Sequence, residues 1–310
     1  MPFYEEESLH SLYNQDVAWF FQYREVAQSV VPIFVCPSNS GPNPFTDRLL
    51  NSVLLLAARG THYTIDQELG VTTYAFCKGI TDSWCHGDNF GPPGPPFTDR
   101  GPSQILKVEL DRGMFDLNWA VPIRRITDGT ANTIAMGEGA GGPHWPIARF
   151  HGTRSAGKGD PKAADRWEPY GSPMGQLRTA QMAWIIAEPT FDPLFSIGQL
   201  VGATVTACTL EPMNKNPVTG AWAHVATLAS CNKSLPSRLR PTNKIPPCQR
   251  VGDHTCGHHV ANNFRSDHPG GCNFLFADGS VHFIDESIDM ATYQILSTVM
   301  GSESVDFPLD

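Results

Sequence analysis

Clustered positive charge is missing from this chain, and so is any long apolar run. Lysine and arginine number 22 among 310 residues, no basic stretch gathers them, and the net charge is -9. That excludes nucleic acid or an anionic membrane as partner, since either requires concentrated cations. The longest apolar runs, Val53 to Ala58 and Ala183 to Ala187, fall far short of the roughly 18 residues that span a bilayer. The opening "MPFYEEESLH" is acidic and amphipathic, without the basic start and apolar core of a secretory signal. A glycine-rich nucleotide motif, a Gly-Xaa-Ser-Xaa-Gly elbow and a His-Glu-Xaa-Xaa-His pattern are also absent, which removes the commonest enzyme classes. A protein that is not an enzyme is expected.

What the chain does contain is turn-forming residues and cysteine. Twenty-eight glycines and 26 prolines, with 41% hydrophobic and only 17% charged residues, favour short strands and long loops around a sizeable core. Eight cysteines are present. Cys77 with Cys85, and Cys248 with Cys256, flank loop-like stretches, and that spacing suits local disulfides of an exported protein. The cysteines thus point outside the cell, whereas the N-terminus shows no export signal. Eight cysteines allow 105 pairings, so the connectivity stays open.

Along the chain, Leu9, Leu12 and Tyr13 share one helical face, and Val26, Val30 and Val31 continue a second short helical pattern. "PIFVCPS" reads as a strand stopped by Pro37. "SVLLLA" and "VTTYAFCKGI" read as strands, and 86 to 103 as a Pro- and Gly-rich surface loop. Residues 113 to 138 carry apolar runs on either side of an Asp128-Gly129 turn. Within a single unit of 1–310, residues 139–262 read as a variable, loop-rich insertion, with "QMAWIIAEPTFDPLF" as a core strand or helix.

The tail, "FRSDHPGGCNFLFADGSVHFIDE", predicts a hairpin. Asp-Gly favours a two-residue turn, and centring it on Asp278 and Gly279 pairs Phe276 with Val281 and Phe274 with Phe283. Those four side chains would then share one apolar face, with His282 turned away from it. The next residues place Ile288, Ala291, Ile295, Leu296 and Val299 on a helical stripe, with Asp285 as the starting cap and Gly301 as the end. At roughly 3.3 Å per residue the strand sets Cys272 about 17 Å from Ala277. His268, beyond the Pro269-Gly270-Gly271 bend, is therefore expected not to reach Asp278. His268 reads as a loop anchor bonded to backbone, and Asp278 as a turn former.

These residues support a resemblance. The tail, with His268 and Asp278-Gly279, resembles the signature of the bacterial family called domain of unknown function 1559, the prepilin-type processing-associated H-X9-DG proteins. "PFYEEESLHSLYNQ", "IFVCPS", "GMF", "RRITDGTANTIAMGE" and "ILSTVMGSESV" are similar to further blocks of that family, in the family's order. The resemblance implies a pilin- or pseudopilin-like protein, β-rich and displayed beyond the inner membrane. Family members open with a prepilin leader and a long apolar helix, whereas this chain opens after the point where that helix would end. A truncated soluble head, a late start codon and a paralogue that has lost assembly are the alternatives. No catalytic residues carry over; His268, Pro269, Gly270, Gly271, Asp278, Gly279, Arg124, Asp128 and Gly129 carry over as motif and structural positions.

Two donor clusters stand outside that pattern. His254, Cys256, His258 and His259 in "GDHTCGHH" have the donor types for zinc, against the plainer reading of a disulfide with surface histidines. Cys256 beside His258 lacks the visible pocket that a nucleophile requires. Asp82, Asp88 and Asn89 in "DSWCHGDN" offer oxygen to calcium, against the plainer reading of a solvated acidic loop. Trp84, Trp145 and Trp167 would stack on a partner or anchor loops. No bound cofactor is expected.

The predicted architecture is α+β: a pilin- or pseudopilin-like head with short N-terminal helices, a mainly antiparallel sheet, and a closing hairpin and helix. The expected function is that of a non-enzymatic envelope or extracellular protein acting through protein contacts or self-assembly, linked to a type II secretion or type IV pilus-like system. Any membrane contact would run through an N-terminal helix outside this chain. The alternative is a secreted ligand-binding module or metal-dependent enzyme using the His- and Cys-rich loop 248–268.

Overall fold

The structure is a computed structural model, and its described residues are 6–17, 21–46, 68–80, 112–116, 119–148, 179–186, 198–199, 205–216, 218–219, 222–223 and 262–301. It is α+β, with mostly antiparallel sheet and few helices. Helix α1 spans Glu7–Leu12 and α2 spans Arg24–Gln28. The central sheet has five strands: β1 (Tyr74–Cys77), β2 (Ile134–Glu138), β3 (Thr206–Ala207), β4 (Gly271–Phe276) and β5 (Val281–Asp285). Their order across the sheet is β3-β1-β2-β4-β5. Only the β3–β1 pair of this sheet is parallel. Helix α3 spans Met290–Leu296. No helix among the described residues is long and apolar enough to cross a membrane.

One face of the sheet holds the main core. Ala75, Ile134, Phe274, Phe276 and Ile284 pack there with Phe264 and with Tyr293 and Leu296 of α3. Gly137 is needed in β2, because a Cβ there would stand 2.6 Å from the rings of Phe264 and Phe274. A second core joins Leu9, Val26, Ala27 and Val31 to Leu69, Val71, Ile185 and Ile186. Within 139–262, Met182–Ala183 pairs with Val71–Thr72, and β3 forms one edge of the central sheet.

The hairpin forms one residue out of the expected register. Leu275 pairs with Val281, Phe274 with His282 and Cys272 with Ile284. Gly279 donates to the Phe276 carbonyl (3.0 Å) and Phe276 to the Ser280 carbonyl (2.9 Å), so the loop is Ala277-Asp278-Gly279, with Gly279 at φ +92°. The two-residue turn loses because the loop's own donors have tertiary partners: Ala277 N–H reaches Thr133 O at 2.9 Å and Asp278 N–H reaches Thr130 O at 3.2 Å. A one-residue slip swaps faces along the returning strand. Ile284 is therefore buried and His282 meets the Phe276 ring edge-on at 5.2 Å, while Val281 and Phe283 are 64% and 50% exposed.

Four other local expectations are corrected. "PIFVCPS" is no strand; Pro32–Phe34 is a 3-10 turn with Pro at its start, where fixed φ is tolerated. Asp285 does not cap α3, because its carboxylate accepts from Ser287 N–H at 2.8 Å. Asp289 caps it through Thr292 N–H at 3.0 Å. The helix ends at Leu296 rather than Gly301, and its core-facing side chains are Tyr293 and Leu296, with Ala291 exposed. Cys77, expected in a loop disulfide with Cys85, is instead a free thiol buried in β1. The run 52–57 and the loop 86–103 lie outside the described residues.

Candidate functional site

A thiol, a carboxylate and an imidazole meet where three separate segments cross. Cys36 follows the 3-10 turn, and its N–H donates to Thr73 Oγ1 at 2.6 Å. Glu138 ends β2 and is buried. Its Oε2 accepts from Asn273 N–H at 2.7 Å and from Asn273 Nδ2 at 3.3 Å, which leaves Oε1 facing the other way. His268 arrives because residues 262–265 run beside 138–140: Gly139 bridges Arg265 in parallel, and Arg265 N–H donates to Glu138 O at 2.9 Å.

The imidazole then lies against both earlier residues. His268 Nε2 is 3.3 Å from Glu138 Oε1 and 3.4 Å from Cys36 Sγ, and Cys36 Sγ is 3.5 Å from the same carboxylate oxygen. Ser38 Oγ stands 3.1 Å from Sγ and 3.3 Å from Nε2. Cys36 and Glu138 are buried, while His268 is 37% exposed at its side chain. Thiol, carboxylate and imidazole are all metal-ligand types. His268 was expected to bond backbone; its ring instead meets side chains. Cys36 and Glu138 escaped the reading of the sequence, although each lies in a block quoted there, "IFVCPS" and "RRITDGTANTIAMGE".

The neighbouring residues fix this corner. Asp267 Oδ2 accepts from Ser40 N–H at 2.9 Å and Ser40 Oγ at 3.0 Å, and its Oδ1 from Trp145 Nε1 at 2.8 Å. Ser40 Oγ also lies 3.2 Å from His144 Nδ1. Arg265 is fully buried, donating through Nε to Ala140 O at 2.5 Å and through Nη1 to Asn262 Oδ1 at 2.6 Å. Burial lowers its pKa to about 10. Burial, followed by the charge of Glu138, pushes the Cys272 thiol well up. Cys77 is pushed up to about 12 by burial, so neither thiol is a ready nucleophile.

The other motif residues have separate tasks. Asp278 Oδ1 accepts from Ser280 N–H at 2.9 Å and Ser280 Oγ at 2.6 Å, and those bonds hold its carboxyl below the usual range. Its partners are thus in the turn, as expected, and His268's are elsewhere. Gly270 takes φ +83°. Gly271 has no room for a Cβ, which would sit 2.1 Å from Ile284 O. Pro269 is exposed in the bend. Gly129, at φ +92°, precedes the 3-10 turn Thr130–Asn132, Asp128 is buried, and Arg124 is exposed on the turn Ile123–Arg125. His254, Cys256, His258, His259, Asp82, Asp88 and Asn89 lie outside the described residues.

The family model described as "Protein of unknown function (DUF1559)" matches residues 1–291, so the chain belongs to that family, in agreement with the resemblance of its motifs. No curated protein and no solved structure matches it.

Proposed function

We propose that this member of the DUF1559 family is the head of a pilin- or pseudopilin-like protein of the cell envelope or its outer side, which works through protein contacts and is not an enzyme. The observation that carries the reading is where apolar surface is left open. Leu12, Phe21, Tyr23, Val30 and Ile33 are each 41–59% exposed, and all five fall in one short N-terminal stretch. Single exposed apolar residues are ordinary, and it is their recurrence from Leu12 to Ile33 that a protein partner would cover. A second opening is β5, a terminal strand of the sheet that presents Val281 and Phe283 to solvent, and such an edge favours strand-wise association.

Among the described residues, the groups at the His268 corner are not in the order of a nucleophile, base and acid relay. A relay sets the nucleophile on one ring nitrogen and the orienting acid on the other. Here Nε2 alone faces Cys36, Ser38 and Glu138. The second reading, a metal-dependent enzyme or binding module using residues 248–268, draws on that same His268.

Photo-crosslinking in the native cell tests the proposal. A crosslinking residue at Tyr23 or Ile33 is expected to trap a protein partner or a second copy in the envelope fraction, and one at the exposed Pro143 to trap neither. Cytoplasmic fractionation, or crosslinks no stronger at Tyr23 and Ile33 than at Pro143, would contradict it.

A further inference from the structure

The geometry points to a zinc site at Cys36 Sγ, Glu138 Oε1 and His268 Nε2, with Ser38 Oγ or a water in its place as the fourth donor. The argument is one of edge lengths. Zinc bonds run about 2.3 Å to sulfur, about 2.0–2.1 Å to nitrogen and about 2.0–2.2 Å to oxygen. In a tetrahedron those radii set donors apart by about 3.5–3.6 Å for sulfur to nitrogen, about 3.5–3.7 Å for sulfur to oxygen and about 3.3–3.5 Å for nitrogen to oxygen. The observed separations are 3.4, 3.5 and 3.3 Å in the same order. Ser38 Oγ, at 3.1 Å from sulfur and 3.3 Å from nitrogen, lies beside the three donors, within reach of the fourth position.

Ligand chemistry selects the ion. A thiolate, an imidazole and one carboxylate oxygen suit a borderline metal, whereas calcium and magnesium require mostly oxygen. Orientation is supplied from behind: Asn273 holds the far oxygen of Glu138 through two bonds, and Asp267 ties the 36–40 loop to the segment carrying His268. Such outer partners fix first ligands in metal centres. Bound zinc would join the N-terminal segment, the central strand β2 and the His268 loop, three pieces far apart in sequence. The metal would thus hold the apolar N-terminal stretch against the sheet. The zinc site does not rest on the envelope function, and a site completed by water rather than by Ser38 would favour the second, metal-dependent reading.

Elemental analysis of the purified full-length chain is the first test, with one zinc per chain expected. Replacing zinc with cobalt should give a thiolate-to-cobalt charge-transfer band, which needs no variant and reports sulfur ligation. Cys36→Ser and His268→Gln should lose the metal and the band. Asn273→Ala removes only the side-chain bond to Glu138, and should bind zinc about 10- to 100-fold more weakly with unchanged circular dichroism. A folded wild-type chain that takes up no zinc would overturn the proposal. So would zinc that survives both ligand variants, or zinc lost from His258→Ala or His259→Ala and kept in Cys36→Ser.

Discussion

Asp128 Oδ2 accepts a 2.8 Å hydrogen bond from the backbone N–H of Gly301, 173 residues later. The same oxygen lies 3.4 Å from Thr298 Oγ1, so one buried carboxylate fastens the central Asp-Gly turn to the segment that follows helix α3. Removing a buried acceptor leaves its donors unsatisfied, at about 1–3 kcal/mol. Asp128→Ala should lower unfolding free energy by that amount in urea and speed amide exchange at Gly301. A change below about 0.5 kcal/mol, the range of indifferent surface substitutions, would contradict the tie.

The two glycines at the ends of β4's motif should fail for different reasons. Gly279→Ala meets nothing within 4 Å, but its φ of +92° costs an L-residue about 1–2 kcal/mol. Gly271→Ala drives a Cβ onto Ile284 O, and backbone must move, so the loss should exceed about 3 kcal/mol, at the upper end of overpacking costs. Equal losses in parallel urea titrations would refute that distinction.

Register is tested on β5. Ile284 is 1% exposed, and Ile284→Ala should cost about 2–5 kcal/mol. Val281, at 64% exposure, should tolerate Thr within about 0.5 kcal/mol. The two-residue turn predicts the reverse order, so thermal unfolding of the two variants separates the registers.

How far the sequence was legible follows from these cases. Strand β4 and its returning partner were readable because the apolar run Phe274-Leu275-Phe276 leads into Asp-Gly, which marks the reversal, and Val281 and Phe283 follow it. The register was not, because it depends on Thr130 and Thr133 receiving the loop's N–H groups, a tertiary fact that no local pattern carries. Asp278 as a turn former and its separation from His268 were derivable from strand length. The meeting of His268 with Cys36 and Glu138 was not, since it requires residues 262–265 to lie beside 138–140. Its traces were single polar residues ending apolar blocks: Cys36 in "IFVCPS" and Glu138 in "TIAMGE".

Acid should loosen the hairpin tip. Ser280's bonds depress the Asp278 carboxyl, and Asp285 is likewise lowered by Ser287. A depressed carboxylate contributes stability that is present above its unfolded value, about 3.9, and lost as pH falls through the folded value. Asp278→Asn should therefore differ most from wild type near neutrality, with the gap closing below pH about 4. A gap in melting temperature that widens on acidification would contradict this sign.

The central structural claim is that the His and the Asp-Gly of the motif do separate jobs, His268 joining Cys36 and Glu138 while Asp278 shapes a turn. Double-mutant cycles measure it directly. His268→Gln combined with Glu138→Gln should show a coupling of at least about 0.5 kcal/mol, and His268→Gln with Asp278→Asn should be additive within about 0.3–0.5 kcal/mol. Strong coupling of His268 to Asp278, with none to Glu138, would contradict the account.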